Sequence, residues 1–146
     1  MKTILGTIVR MFEILLVGVG GFFVLYFTLG MLSGPWTTTF NPFPRPADIL
    51  VWLWACLLML VASSAWLVLM LVISLGSERL QSSSRRLFLG VIVAGLFVGA
   101  FWVGLVLFYN GIDGFAVFGD PPGLALIILC LFGLRYAFIL AKQERR

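Results

Sequence analysis

The chain has 146 residues, 62 % of them apolar and 11 % charged, with a formal net charge of +4 and no histidine. The apolar residues gather in four long blocks separated by short polar joints, which leaves no room for a separate water-soluble domain. In a soluble protein the basic balance would suggest nucleic acid; here it reads as membrane topology, and no nucleic-acid partner is expected.

A bilayer core about 30 Å thick takes about 20 mostly apolar residues at 1.5 Å rise each. The four blocks run over residues 8–32, 49–75, 87–109 and 123–141. None shows the period-2 alternation of barrel strands, and in lipid the backbone must bond to itself. The expected fold is an all-α integral membrane protein of four transmembrane helices forming one domain over residues 1–146.

At the start of the chain Lys2 and Arg10 precede the apolar run of the first block, as in a secretory signal. A signal core is only about 7–15 residues and ends in a small-residue cleavage site. This block is longer and ends at Ser33-Gly34-Pro35-Trp36, so it reads as a retained helix. Arg10 and Glu13 lie three residues apart on one face, near one end of this helix. There they can pair with each other or reach water and so set the helix's depth. The sharper reading is a Glu13 that protonates during transport; a carrier acid is expected nearer the midplane, without a cation one turn away.

The outer loop 33–48 carries Gly34, Pro35, Pro42, Pro44 and Pro46, which break any helix there. Asp48 is a candidate cap for the second helix. Within that helix Ser63, Ser64 and Trp66 lie mid-span, where serine bonds to its own backbone or to a neighbouring helix. The inner loop 76–86 is short and polar, and Ser84 is a candidate cap for the third helix.

The third block carries Gly90, Gly95, Gly99 and Gly104, and the first block Gly18, Gly20 and Gly21. Apolar burial does not drive helices together in lipid; close backbone approach through small residues does. At 100° per residue, Gly95 and Gly99 share one face, and Gly90 and Gly104 share another. One face suits the internal bundle, and the second suits either that same bundle or another protein or copy.

The outer loop 110–122 mixes turn residues with apolar ones. In the fourth block, Arg135 lies seven residues before Lys142, roughly 10 Å below the inner interface. It either snorkels as an anchor or holds an acidic lipid head group or a partner's carboxylate. Cys56 and Cys130 read as small packing residues rather than a redox pair, since no C-x-x-C or charged activator accompanies them.

Short joints make neighbouring helices antiparallel, so an up-down-up-down bundle is expected. Both termini and the inner loop then share one side with eight cations: Lys2, Arg10, Arg79, Arg85, Arg86, Lys142, Arg145 and Arg146. The other side has Arg45 alone, together with Asp48, Asp113 and Asp120. Positive charge stays cytoplasmic, which puts both termini in the cytoplasm. The expected location is a cell membrane crossed several times, namely a bacterial cytoplasmic (inner) membrane.

Lacking histidine, the chain has neither the commonest general base nor the usual haem or zinc ligand. No carboxylate dyad, P-loop or nucleophile elbow appears. No catalytic, cofactor-binding or metal-binding residue is expected, and no enzyme activity. Trp36, Phe40, Phe43, Phe115 and Phe118 crowd the two outer loops. An interfacial belt accounts for aromatics there, and together they also suit an outer docking surface.

The leading expectation is therefore a small non-enzymatic membrane subunit or accessory protein, acting through helix and outer-loop contacts within a larger complex. Its partners would be the bilayer and another integral membrane protein, or further copies of itself. One alternative is a homo-oligomeric channel or carrier for a small solute, lined by Arg10 and Glu13, by Ser63 and Ser64, or by Arg135. Another is a membrane immunity or exclusion factor working through the outer loops.

Overall fold

The computed structural model describes residues 2–32 and 46–146, excepting the side chains of residues 2, 31–32, 46–48, 115, 117–118 and 121–122. Four helices dominate: α1 (Lys2–Leu32), α2 (Pro46–Leu75), α3 (Ser82–Asn110) and α4 (Pro121–Glu144). All four are long and apolar enough to cross a membrane.

The helices overrun the expected spans. No breaker separates residues 2–7 from the first block, so α1 begins at Lys2. Pro46 sits at the first helical position, where its missing N–H is no loss and its fixed φ suits the helix. Asp48 therefore lies inside the first turn of α2 rather than capping it. Ser84 is likewise inside α3: the first turn closes with the Arg85 N–H donating to the Gln81 carbonyl at 2.9 Å. The cap position belongs to Gln81, whose side chain makes no capping bond.

Gly76 ends α2 with φ 85°, a left-handed backbone that favours glycine. A single 3-10 turn, Ser77–Arg79, then leads to α3. At the other end Gly111, at φ 60°, closes α3 and opens a 3-10 helix over Gly111–Gly119. The segment read from sequence as an outer loop is thus largely a short helix packed on α3 and α4.

Each helix packs on two neighbours, giving the cyclic order α1–α2–α3–α4, and a few α2–α4 contacts cross the middle. The chain runs antiparallel around this ring. Arg10 on α1 meets Ile73 on α2, while Thr28 further along α1 meets Ser63 earlier on α2. Both termini and the 76–81 joint therefore share one end, the basal end. There Gln143 donates to the Ser77 hydroxyl at 3.0 Å, and Arg86 pairs with Glu144.

The tightest packing is also basal. Val17, Leu69, Val72, Ile73, Ile92, Ala137 and Leu140 form the core, and Leu80 from the joint closes it from beneath. The outward surface is apolar rather than charged, with Phe97, Phe108 and Phe138 each more than two-thirds exposed. A water-soluble bundle puts polar residues on that face; a lipid-facing one does not need to.

Candidate functional site

Two places in the bundle gather the polar and spatial features from which function could arise: a basal charge cluster and an apical apolar cleft.

In the basal cluster Arg10 and Glu13, though one turn apart on α1, do not pair with each other. Arg10 extends to the end of α2, donating from Nε to the Ile73 carbonyl at 2.7 Å and from Nη2 to the Ser74 carbonyl at 3.1 Å. Those are last-turn carbonyls, which have no partner within their own helix, and a cation beside them also suits the helix dipole. Gly76 makes room: a Cβ there would stand 2.9 Å from Arg10 Nη2.

Glu13 turns the other way, towards α4, and is only 6 % exposed. The Arg135 guanidinium binds its Oε1, and the Tyr136 hydroxyl donates to its Oε2 at 2.6 Å. Both carboxylate oxygens are thus engaged by charge-assisted hydrogen bonds, which is what a buried charge requires. Arg135 also stands 5.7 Å from the Tyr136 ring centroid, within cation–π range. Its side chain remains half exposed, so a third link to head groups or solvent stays open. Beside the cluster lies an open basal recess of about 690 Å3, reached by Arg10, Glu13, Arg79 and Arg135.

Higher in the bundle, Trp66 of α2 lies over Gly21 of α1, and its indole N–H donates to the Val17 carbonyl at 3.0 Å. A Cβ at Gly21 would fall on the indole itself. Ser63 and Thr28 share a hydrogen bond of 2.8 Å between α2 and α1, while Ser64 bonds back to the Leu60 carbonyl. All these polar groups serve as ties within or between helices.

The α3 glycines divide by environment. A Cβ at Gly95 would collide with Ala65 on α2, and one at Gly99 would sit 2.7 Å from Cys130 Sγ on α4. Gly90 and Gly104 are exposed and, among the described residues, have nothing within 4 Å of such an atom. Cys56 is buried on α2, and no disulfide joins it to Cys130.

The apical cleft lies between all four helices, encloses about 370 Å3 and is walled almost wholly by apolar side chains. Trp102 of α3 lines it, and the Trp102 Nε1–H is buried without a hydrogen-bond acceptor among the described residues. Among the described residues no trio of cysteine, aspartate and glutamate side chains is placed to hold a metal ion.

Trp36, Phe40 and Phe43 of the expected docking surface lie outside the described residues. Phe115 and Phe118 fall on the 3-10 helix, but their side chains are likewise outside. Tyr136, Thr28 and Trp102 take part in these arrangements, and sequence reasoning passed over them. A hydroxyl next to Arg135 was a usable signal for Tyr136; no local signal marks an indole whose distinction is a missing partner. Comparison with known proteins yields no family model, curated protein or solved structure that matches this chain.

Proposed function

We propose that this chain is a small non-enzymatic subunit of a larger membrane complex, resident in a bacterial cytoplasmic membrane with both termini in the cytoplasm. The supporting observation is the outward face of α3. Gly90, Val93, Phe97, Phe101, Gly104 and Phe108 follow one another at spacings of three or four residues, and all are exposed. That spacing keeps them on one side of a straight helix. Glycines at two levels with phenylalanines between offer shallow holes flanked by large knobs, a surface that another helix can approach closely. The remaining glycine pair of α3 is consumed inside the bundle, so the outward face is not needed to hold the fold together.

The test pairs Gly90→Leu with Gly104→Leu in the full chain. Helical content and thermal stability in detergent should stay within the wild-type range, because neither site has a neighbour to displace. The mass of the complex seen by native mass spectrometry after gentle extraction should fall to that of the lone chain. A wild-type chain that is always alone, or a variant that keeps its partner, would overturn the reading.

The basal recess supports a second reading, a small-solute carrier in which Glu13 and Arg135 exchange partners. Flux of ions or small solutes through liposomes holding only this protein, lost in Glu13→Gln, would bring that reading ahead of the first.

A further inference from the structure

We propose that the apical cleft is a lipid-binding site that takes one acyl chain of a bilayer phospholipid, with the ester carbonyl accepting a hydrogen bond from Trp102 Nε1. The inference is independent of the subunit reading. It stands on the shape of the cleft, the chemistry of its wall and one unsatisfied donor.

The shape is long and narrow. On α3 the lining runs from Ile92 to Val106, fourteen rises or about 21 Å at 1.5 Å per residue, yet the volume is only about 370 Å3. That lies at the low end of ligand cavities, which span roughly 300–1,000 Å3. A flat or globular ligand would leave one end empty; a single hydrocarbon chain fills a slot of this form. The wall is made by side chains such as Phe23, Met59, Ala62, Leu126 and Leu129. Water is a poor occupant, because a buried water needs two to four polar partners. A vacant slot would forfeit the dispersion contacts of every lining group.

The donor sets the ligand's second feature. A buried indole N–H ordinarily finds an acceptor, and in hydrocarbon there is no water to stand in. The Trp102 N–H has none among the described residues. The occupant must therefore be apolar over most of its length and carry an acceptor at one level. Trp102 lies seven residues, about 10 Å, below the Tyr109 end of the third span, and from Trp102 down to Ile92 is a further ten residues, about 15 Å or half of a hydrocarbon core about 30 Å thick. A phospholipid tail has about that length beneath its ester group, so the bound lipid is drawn about two turns of α3 into the bundle. With the carbonyl at Trp102, the tail occupies the slot as far as Ile92, and the head group leaves past Val106 and Gly123 at the apical end.

The test uses the whole protein. After mild detergent extraction, native mass spectrometry should find one phospholipid retained per chain under activation that strips the detergent. In nanodiscs, the indole 15N–1H signals of the five tryptophans are recorded, with Trp102→Phe identifying the one that matters. That signal should shift between ester-linked phospholipid and a diether analogue with the same head group, while that of Trp66, whose N–H is held by the Val17 carbonyl, stays put. Ala62→Phe, which fills the slot, should abolish lipid retention. Should that variant fail to fold, Leu126→Phe from the opposite wall serves instead. The proposal is overturned if no phospholipid is retained, if the Trp102 signal is the same in ester and ether lipid, or if slot-filled protein still carries the lipid. Retention of a free fatty acid or quinone, or cross-linking of residues 33–45 into the slot, would overturn it equally.

Discussion

The Tyr136 hydroxyl crosses from α4 to lie 2.6 Å from Glu13 Oε2 on α1, completing a carboxylate whose other oxygen is held by Arg135. The two helices are thus tied at a buried charge, and that charge is unequally protected. The Glu13 side chain is 8 % exposed, whereas that of Arg135 is 55 % exposed. Arg135→Ala should therefore cost about 3 kcal/mol, since it strands a buried carboxylate. Glu13→Ala should cost about 1 kcal/mol, because a released Arg135 can turn to water or head groups. Tyr136→Phe should fall between about 0.6 and 2 kcal/mol, the range for hydrogen bonds between membrane helices. Unfolding in mixed micelles measures all three, and equal losses for the two charge deletions would contradict the arrangement.

At the α1–α2 crossing, Gly21→Ala should be far worse than Gly18→Ala. The first puts a methyl on the Trp66 indole and pushes its N–H off the Val17 carbonyl. The second has only Met70 Cε, at 3.9 Å, within reach. Overpacking of this kind costs about 1–3 kcal/mol, against less than about 0.5 kcal/mol for a free site. Thermal midpoints in detergent, with indole fluorescence following Trp66, test the contrast.

Gly76 and Arg10 act on the same helix end, so their substitutions should not add. Gly76→Ala strains a backbone at φ 85° and crowds Arg10 Nη2; Arg10→Ala releases the Ile73 and Ser74 carbonyls. Each alone should cost about 1–2 kcal/mol. The double variant should lose less than their sum by at least about 0.5 kcal/mol, because Arg10 is then no longer there to be crowded. A double-mutant cycle reading strict additivity would show that the crowding is relieved elsewhere.

Topology is tested by thiol labelling in a Cys56→Ala, Cys130→Ala background. Ser83→Cys and Arg146→Cys, both at the basal end, should be shielded from an impermeant reagent outside intact cells and react after lysis. Asn110→Cys, at the far end of α3, should react from outside. The expectation rests on eight cations at one end and one at the other. Basal and apical labels reacting on the same side would refute it.

Hydropathy is a property of consecutive residues, so the four apolar blocks and the basal gathering of arginines and lysines were legible from the chain alone. The helices' overrun was less so: Pro46 as a first helical residue and the 3-10 helix in residues 111–119 depend on how a short segment meets its neighbours. The glycine pattern of α3 was visible as two faces, but nothing local says which face turns inward. Ala65 and Cys130, contributed by other helices, decide that.

Pairing was decided only by the tertiary structure, because it joins residues far apart in the chain. Glu13 sits three residues from one arginine, yet it binds another 122 residues away, since α4 rather than its own helix faces it. Arg10 is left to close a helix on the other side. The apical slot is further still from the linear pattern: it is space that four helices fail to fill, with an indole N–H left over beside it. Composition determines which segments prefer lipid, but the shapes of facing side chains determine what they enclose, and those shapes meet only once the bundle has formed.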